Sequence, residues 1–266
     1  MSNSKRKILF NGCSFTYGHG LKEDEGAYPY WVGNDLDAEV LNVGMPAASN
    51  DHIFRTTMIN LWQHKDITDL VVMWSDWNRV EFINTDVGQG SYSFQRANLW
   101  NKGLLKEVPK GTVPGKERDT WIYMQSSPAR LRQSPWRFHY WVDAWEGFYG
   151  SIWQTSTGVL KTGFQTLMLQ DYCKTHNIKF HHTLFSRKML SQLQHMLLNA
   201  TSEGQFMVQQ EWNTIKREMD NPIDINDDQM YIDQFVEEFG SCDDQGHPNA
   251  RAHKEYGLYL AARIDK

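Results

Sequence analysis

ILFNGCSFTYGHGL, residues 8–21, decides the fold. Three apolar residues, Ile8, Leu9 and Phe10, run directly into Asn11-Gly12-Cys13-Ser14, and two further glycines follow at Gly18 and Gly20. A short apolar run bounded by turn residues has the pattern of a strand buried on both faces. We read residues 7–11 as that strand. The chain then turns at once, with Ser14 at the turn. In an open parallel sheet, such a turn lies at the C-terminal edge of the strands, where ligands bind.

The pattern continues outward from this segment. YPYWVGNDLD (28–37) reads as a short helix and EVLNVG (39–44) as a second strand ending at Gly44. SNDHIFRTTMINLWQHK (49–65) reads as a helix capped by Ser49 or Asn50, with Ile53, Met58, Leu61 and Trp62 on one apolar face. DLVVMW (69–74) is a third buried strand, QTLMLQDYCKTHN (165–177) a helix and IKFHHTLF (178–185) a fourth strand. NARAHKEYGLYLAARI (249–264) closes the chain as a helix with Ala252, Tyr256, Leu260 and Ile264 aligned. Alternating strands and helices predict an α/β fold with a central parallel sheet covered on both faces. Residues 86–155, rich in Gly, Pro and aromatics, and residues 186–240, mostly helical in pattern, break the rhythm. Both read as insertions in one domain spanning 1–266.

Net charge is −5 and the pI is near 6.1, so the chain lacks the basic balance expected of a nucleic-acid partner. No stretch approaches the roughly 18 apolar residues of a membrane span, and the apolar run after Lys5-Arg6-Lys7 is too short for a signal-peptide core. Three cysteines without a CxxC pair predict no disulfide framework or zinc site, and a reducing, cytoplasmic setting. Of eleven tryptophans, Trp100, Trp121, Trp136, Trp141, Trp145 and Trp153 fall in the first insertion. They suit a small hydrophobic core, a subunit interface in a homo-oligomer, or a surface for stacking sugar rings. The adjacent His181 and His182 point to opposite faces of a strand and do not form one metal site. The acidic residues Asp220, Asp224, Asp227 and Asp228 lack calcium-loop spacing.

The chemistry concentrates at strand ends. Ser14 follows the first strand, Gly44 the second, and Ser75-Asp76 the third. CDDQGHPN, just before the last helix, supplies Asp244 three residues ahead of His247. A nucleophilic serine needs a base in hydrogen-bond reach and a carboxylate to orient that base. Backbone N–H groups at Ser14 and Gly44 are candidate oxyanion donors.

This arrangement resembles the SGNH (GDSL-like) hydrolases. Gly12-Cys13-Ser14 matches their Gly-Asp-Ser block, Gly44 their second-block glycine, and Asp244-Gln245-Gly246-His247 their Asp-x-x-His block. The Gly-Cys-Ser-Phe-Thr form is similar to proteins of tailed phages and some bacteria, which adds a virion-associated setting to the expectations. The resemblance implies a flavodoxin-like three-layer α/β/α sandwich and an esterase acting through an acyl-enzyme. Ser14 is then the nucleophile, His247 the base and Asp244 its orienting partner, and no metal or organic cofactor is required. Two positions depart from the pattern. Cys13 replaces the first-block aspartate, and Ser75 stands where the third-block asparagine belongs. The third oxyanion donor is therefore Ser75 or Asn78. Trp74 and Trp77 flank this edge as candidate substrate contacts. The expected substrate is a small-molecule or glycan ester, such as an O-acetylated carbohydrate, with no nucleic-acid or membrane partner. The departure at Ser75 and the aromatic insertion also support an alternative, a non-catalytic glycan-binding or virion structural protein on the same fold.

Overall fold

The computed structural model describes residues 5–83, 121–124, 148, 155–198, 202–220, 229–244 and 246–265. Four strands, β1 (Lys7–Asn11), β2 (Glu39–Asn42), β3 (Asp69–Trp74) and, after a hairpin, β6 (Lys179–Leu184), form one parallel sheet in the order β2-β1-β3-β6. The strand order reverses direction between β1 and β3. Such a switch point opens a crevice at the carboxyl ends of the strands. A separate antiparallel pair, β4 (Val80–Ile83) and β5 (Trp121–Met124), follows β3. Most of the aromatic segment at 86–155 lies outside the described residues.

Strand alternation assigns each face its core. Ile8, Phe10, Val71 and Met73 face α2 (Tyr28–Asp35), α7 (Ile232–Phe239) and α8 (Ala250–Ile264), packing on Tyr28, Val32, Phe235 and Tyr256. Leu9, Leu70, Val72 and Trp74 face the opposite layer. There they meet α3 (Asn50–Gln63), α4 (Thr155–His176), α5 (Arg187–Leu198) and α6 (Glu203–Glu218) through Ile53, Leu61, Val159, Leu169, Leu193 and Trp212. The result is a three-layer α/β/α sandwich. Burying each such side chain contributes about 1.5–3 kcal/mol, which explains why central strands without a polar face hold the sheet together.

The helices obey their local signals. Ser49 caps α3 by accepting from the His52 N–H, and Asn249 caps α8 by accepting from the Ala252 N–H. Ala252, Tyr256, Leu260 and Ile264 are all buried as their spacing requires. Trp62 is the exception on α3. It is 57% exposed, because the apolar stripe that faces the sheet is completed by Ile53 and Leu61. Helix α4 begins ten residues before the expected start. Its first turns carry Thr155, Ser156, Thr157 and Gly158, which have weak helix propensity. Tertiary packing overrides this, since a Cβ on Gly158 would sit 1.9 Å from the Trp77 carbonyl oxygen. The region 186–240 contributes α5, α6 and α7.

Polar ties lock the bottom and top of the sheet. At the bottom, Arg6 grips Asp69 with two hydrogen bonds of 2.6 and 3.0 Å. Burial opposes the Asp69 charge, but the Arg6 bonds and the Thr68 hydroxyl outweigh it and hold the carboxyl below its ordinary range. At the top, the fully buried Asn11 donates to Ile53 O, Thr56 Oγ1 and Thr57 Oγ1 while its Oδ1 accepts from the Gly12 N–H. This one amide ties the end of β1 to α3 and shapes the turn into Ser14. Replacement by leucine leaves the buried Gly12 N–H and Thr57 hydroxyl without these bonds, so Asn11→Leu is expected to cost about 3 kcal/mol. A urea midpoint within error of wild type would refute that role.

Candidate active site

Ser14 opens α1 (Ser14–Tyr17), a single helical turn capped by Gly18 in the left-handed region. This tight turn depends on a glycine at 12, where a Cβ would lie 2.1 Å from Thr16 Oγ1 and 3.0 Å from Met73 O. The turn lifts Ser14 over the carboxyl end of β1. Its hydroxyl lies 3.1 Å from His247 Nε2. The imidazole packs edge-on to Phe15 and His19, with ring centroids 5.6 and 4.6 Å away. Both Ser14 and His247 are buried, which strengthens their electrostatic coupling.

The carboxylate against the imidazole is Asp243, a correction to the expectation for Asp244. Asp243 Oδ2 is 2.6 Å from His247 Nδ1, and Oδ1 accepts from the His247 backbone N–H at 3.1 Å. Asp244 is exposed. Loop closure explains the difference. The Cys242 N–H donates to His247 O at 2.8 Å, Ser241 bridges Pro248, and Gly246 takes a positive φ of 79°. Closing the loop through residues 242 and 247 sets Asp243 beside His247 and leaves Asp244 on the outside of the turn. An Asp-x-x-His spacing is visible in the chain, but the hydrogen bond spans one residue more.

The expected oxyanion donors divide. Ser14 N–H begins a helix, where amides have no intrahelical acceptor, and no described group accepts from it. Gly44 N–H instead donates to Asn42 Oδ1 at 3.0 Å, and Asn42 Nδ2 donates to Thr16 O. Gly44 therefore serves close packing: a Cβ there would lie 2.9 Å from Thr16 Cβ and from the Tyr17 nitrogen. Ser75 is fully buried, and its hydroxyl accepts from Arg79 Nη1 at 2.7 Å. Asn78 is turned toward Thr155, whose hydroxyl donates to Asn78 Oδ1, and its own N–H donates to Asp76 Oδ1. Asn50, which follows the second strand, holds the backbone of Ser75 from both sides. It accepts from Ser75 N–H at 2.7 Å and donates to Ser75 O at 3.1 Å.

The two tryptophans proposed as substrate contacts belong to the core. Trp74 is 0% and Trp77 1% exposed, and Trp77 Nε1 donates to Met189 O. Trp74 shares the face of Leu70 and Val72, so strand alternation turns it into the helical layer. Asp243, His19 and Arg79 are the site residues that sequence reading missed. Position 243 was one residue away from a recognised motif, while His19 and Arg79 carry no local signature.

His19, Asp243 and His247 also bring three ligand-type atoms within 4.8 Å of one another. Two ligands of one tetrahedral zinc stand about 3.4 Å apart, given Zn–N and Zn–O bonds near 2.1 Å. The 2.6 Å between Asp243 and His247 is shorter than that and fits a hydrogen bond. The described arrangement is thus a hydroxyl, an imidazole and a carboxylate in series, able to move a proton from Ser14 to His247.

No family model and no curated protein matches this chain. Among solved structures, it aligns with a protein assigned to the G-D-S-L lipolytic family from Desulfitobacterium hafniense DCB-2. That alignment has 12% identity and a TM-score of 0.34, covering 98% of this chain and 99% of the other. It also aligns with a point mutant of the esterase AlinE4 at 14% identity and a TM-score of 0.26, covering 83% and 100% of the respective chains. No described helix is long and apolar enough to cross a membrane.

Proposed function

We propose that this protein is a serine hydrolase that cleaves an ester through an acyl-enzyme. The observation that carries this reading is the continuous relay Ser14 Oγ–His247 Nε2–His247 Nδ1–Asp243 Oδ2, with separations of 3.1 and 2.6 Å. Ser14 attacks the acyl carbon while His247 takes its proton, and Asp243 holds the imidazole tautomer that leaves Nε2 free to accept it. The alcohol leaves with the proton returned from His247. Water then attacks the acyl-enzyme by the same route. The Ser14 N–H is available to the developing oxyanion. The tryptophans of the first insertion support a carbohydrate ester, such as an O-acetylated sugar, as substrate.

The test is labelling by a fluorophosphonate probe, which reports an activated serine. Wild type is expected to label, and Ser14→Ala and His247→Ala are expected to lose the adduct while staying folded. An unlabelled, folded wild type would overturn the hydrolase reading. A second reading, a binding protein on the same fold, draws support from the internal engagement of the Gly44 N–H and the Asn50 amide. It predicts glycan binding without any adduct at Ser14.

A further inference from the structure

We infer that Arg79 is the anion-recognising residue of this site, and that the substrate is an ester bearing a negatively charged group. The inference rests on the hydrolase reading and specifies its substrate class. Arg79 follows β3 by five residues, and its guanidinium reaches back across the carboxyl edge of the sheet. Nη1 donates to Ser75 Oγ, at the end of β3, and to Ala48 O at 3.3 Å, in the loop after β2. The guanidinium carbon lies 5.9 Å from the centre of the Phe185 ring, which follows β6. Phe185 packs edge-on to Phe15 at 5.4 Å, and Phe15 packs on His247. Arg79 therefore bridges the loops on both sides of β1, the strand that delivers Ser14.

Among the described residues, no carboxylate forms an ion pair with Arg79, whereas Arg6 and Lys7 each pair with two carboxylates and Lys161 with Asp51. The neighbouring Asp76 carboxylate is turned to the Asn78 N–H, and only the Asp76 carbonyl meets Arg79, through its backbone N–H. Described contacts use one terminal nitrogen, leaving Nε and Nη2 for a bidentate partner. Ser75 cannot itself meet a substrate because it is fully buried. Its hydroxyl instead positions Arg79 by accepting from Nη1 at 2.7 Å. A half-buried cation held by neutral acceptors at the carboxyl edge of the sheet that carries the nucleophile is an arrangement that selects a carboxylate, phosphate or sulfate on the substrate.

The experiment compares charged and neutral esters of matched shape. 4-Nitrophenyl hydrogen glutarate is paired with 4-nitrophenyl pentanoate for charge on the acyl side. 4-Acetoxybenzoate is paired with phenyl acetate for charge on the alcohol side. At least one charged ester is expected to exceed its neutral partner in kcat/KM by about tenfold to a hundredfold, the range of a hydrogen bond to a charged group. That ratio should collapse in Arg79→Met, persist in part in Arg79→Lys, and fall less in Ser75→Ala, with the loss in KM. Thermal melting of each variant separates this from unfolding. No charge preference in wild type, or a preference that survives Arg79→Met, overturns the inference while fluorophosphonate labelling still upholds the hydrolase. If wild type turns over none of the esters, fluorophosphonate labelling decides the hydrolase reading on its own. Calorimetry with glutarate and 4-hydroxybenzoate then decides: binding lost in Arg79→Met supports the anion site, and absent or unaltered binding overturns it.

Discussion

Asp243→Asn is expected to slow ester turnover by about 10³–10⁴-fold, and Asp244→Asn to leave it unchanged. The two aspartates are adjacent and chemically identical, so the contrast isolates geometry. Asp243 accepts from both the ring and the backbone N–H of His247, at 2.6 and 3.1 Å. An amide at 243 can turn its NH2 toward Nδ1 and favour the tautomer that protonates Nε2, the nitrogen that must accept from Ser14. The effect belongs in kcat, because Asp243 acts through the His247 imidazole that it holds. Steady-state rates on a short acyl ester, with circular dichroism to show that both variants fold, decide the matter. A slow Asp244→Asn beside a fast Asp243→Asn would restore the Asp-x-x-His assignment and refute the loop geometry.

Acid is expected to weaken the fold well above the range where carboxylates titrate, and His253 is the reason. The residue lies on α8, fully buried, with its Nδ1 accepting from the Tyr28 N–H at 3.1 Å. Nδ1 is thus committed as an acceptor, and a protonated ring would have to break that bond. Burial, helped by the nearby His247, pushes the imidazole from 6.5 down to about 3. The sign follows from linkage. Below about pH 6.5 the unfolded chain takes up a proton that the folded chain refuses, so stability drains by about 1.4 kcal/mol per pH unit. Between about pH 6.5 and 4.5 the loss reaches about 2 kcal/mol, most of it above the range where Asp69 is protonated. His181, also held low by burial, adds to the slope. Urea midpoints across this range should fall steeply in wild type and less steeply in His253→Gln, which keeps an acceptor for Tyr28 but cannot titrate. Parallel slopes would exclude His253 as the source.

The chain announced its architecture through features that act locally or by simple periodicity. ILF, DLVVMW and the α8 stripe need no knowledge of their partners, because apolar period and turn residues dictate strand, helix and buried face. The serine of Gly12-Cys13-Ser14 and the histidine ahead of Pro248 were legible for the same reason. A turn at a strand end and a loop before a helix both place side chains at the edge of a parallel sheet. Sequence by itself thus determined the α/β sandwich, the strand ends and two members of the relay. Tertiary structure decided the rest, since it depended on distances between segments far apart in the chain. Loop closure through Cys242 and His247 chose Asp243 over Asp244. The Asn42 side chain claimed the Gly44 N–H, and Asn50, at the start of α3, accepted from the Ser75 N–H and donated to the Ser75 carbonyl. Strand alternation was readable for Trp74, but which face each tryptophan met depended on where α4 and α5 packed. Arg79 acquired its place only when β1, β2, β3 and β6 brought their carboxyl ends together, because a long side chain reaching across loops leaves no periodic trace.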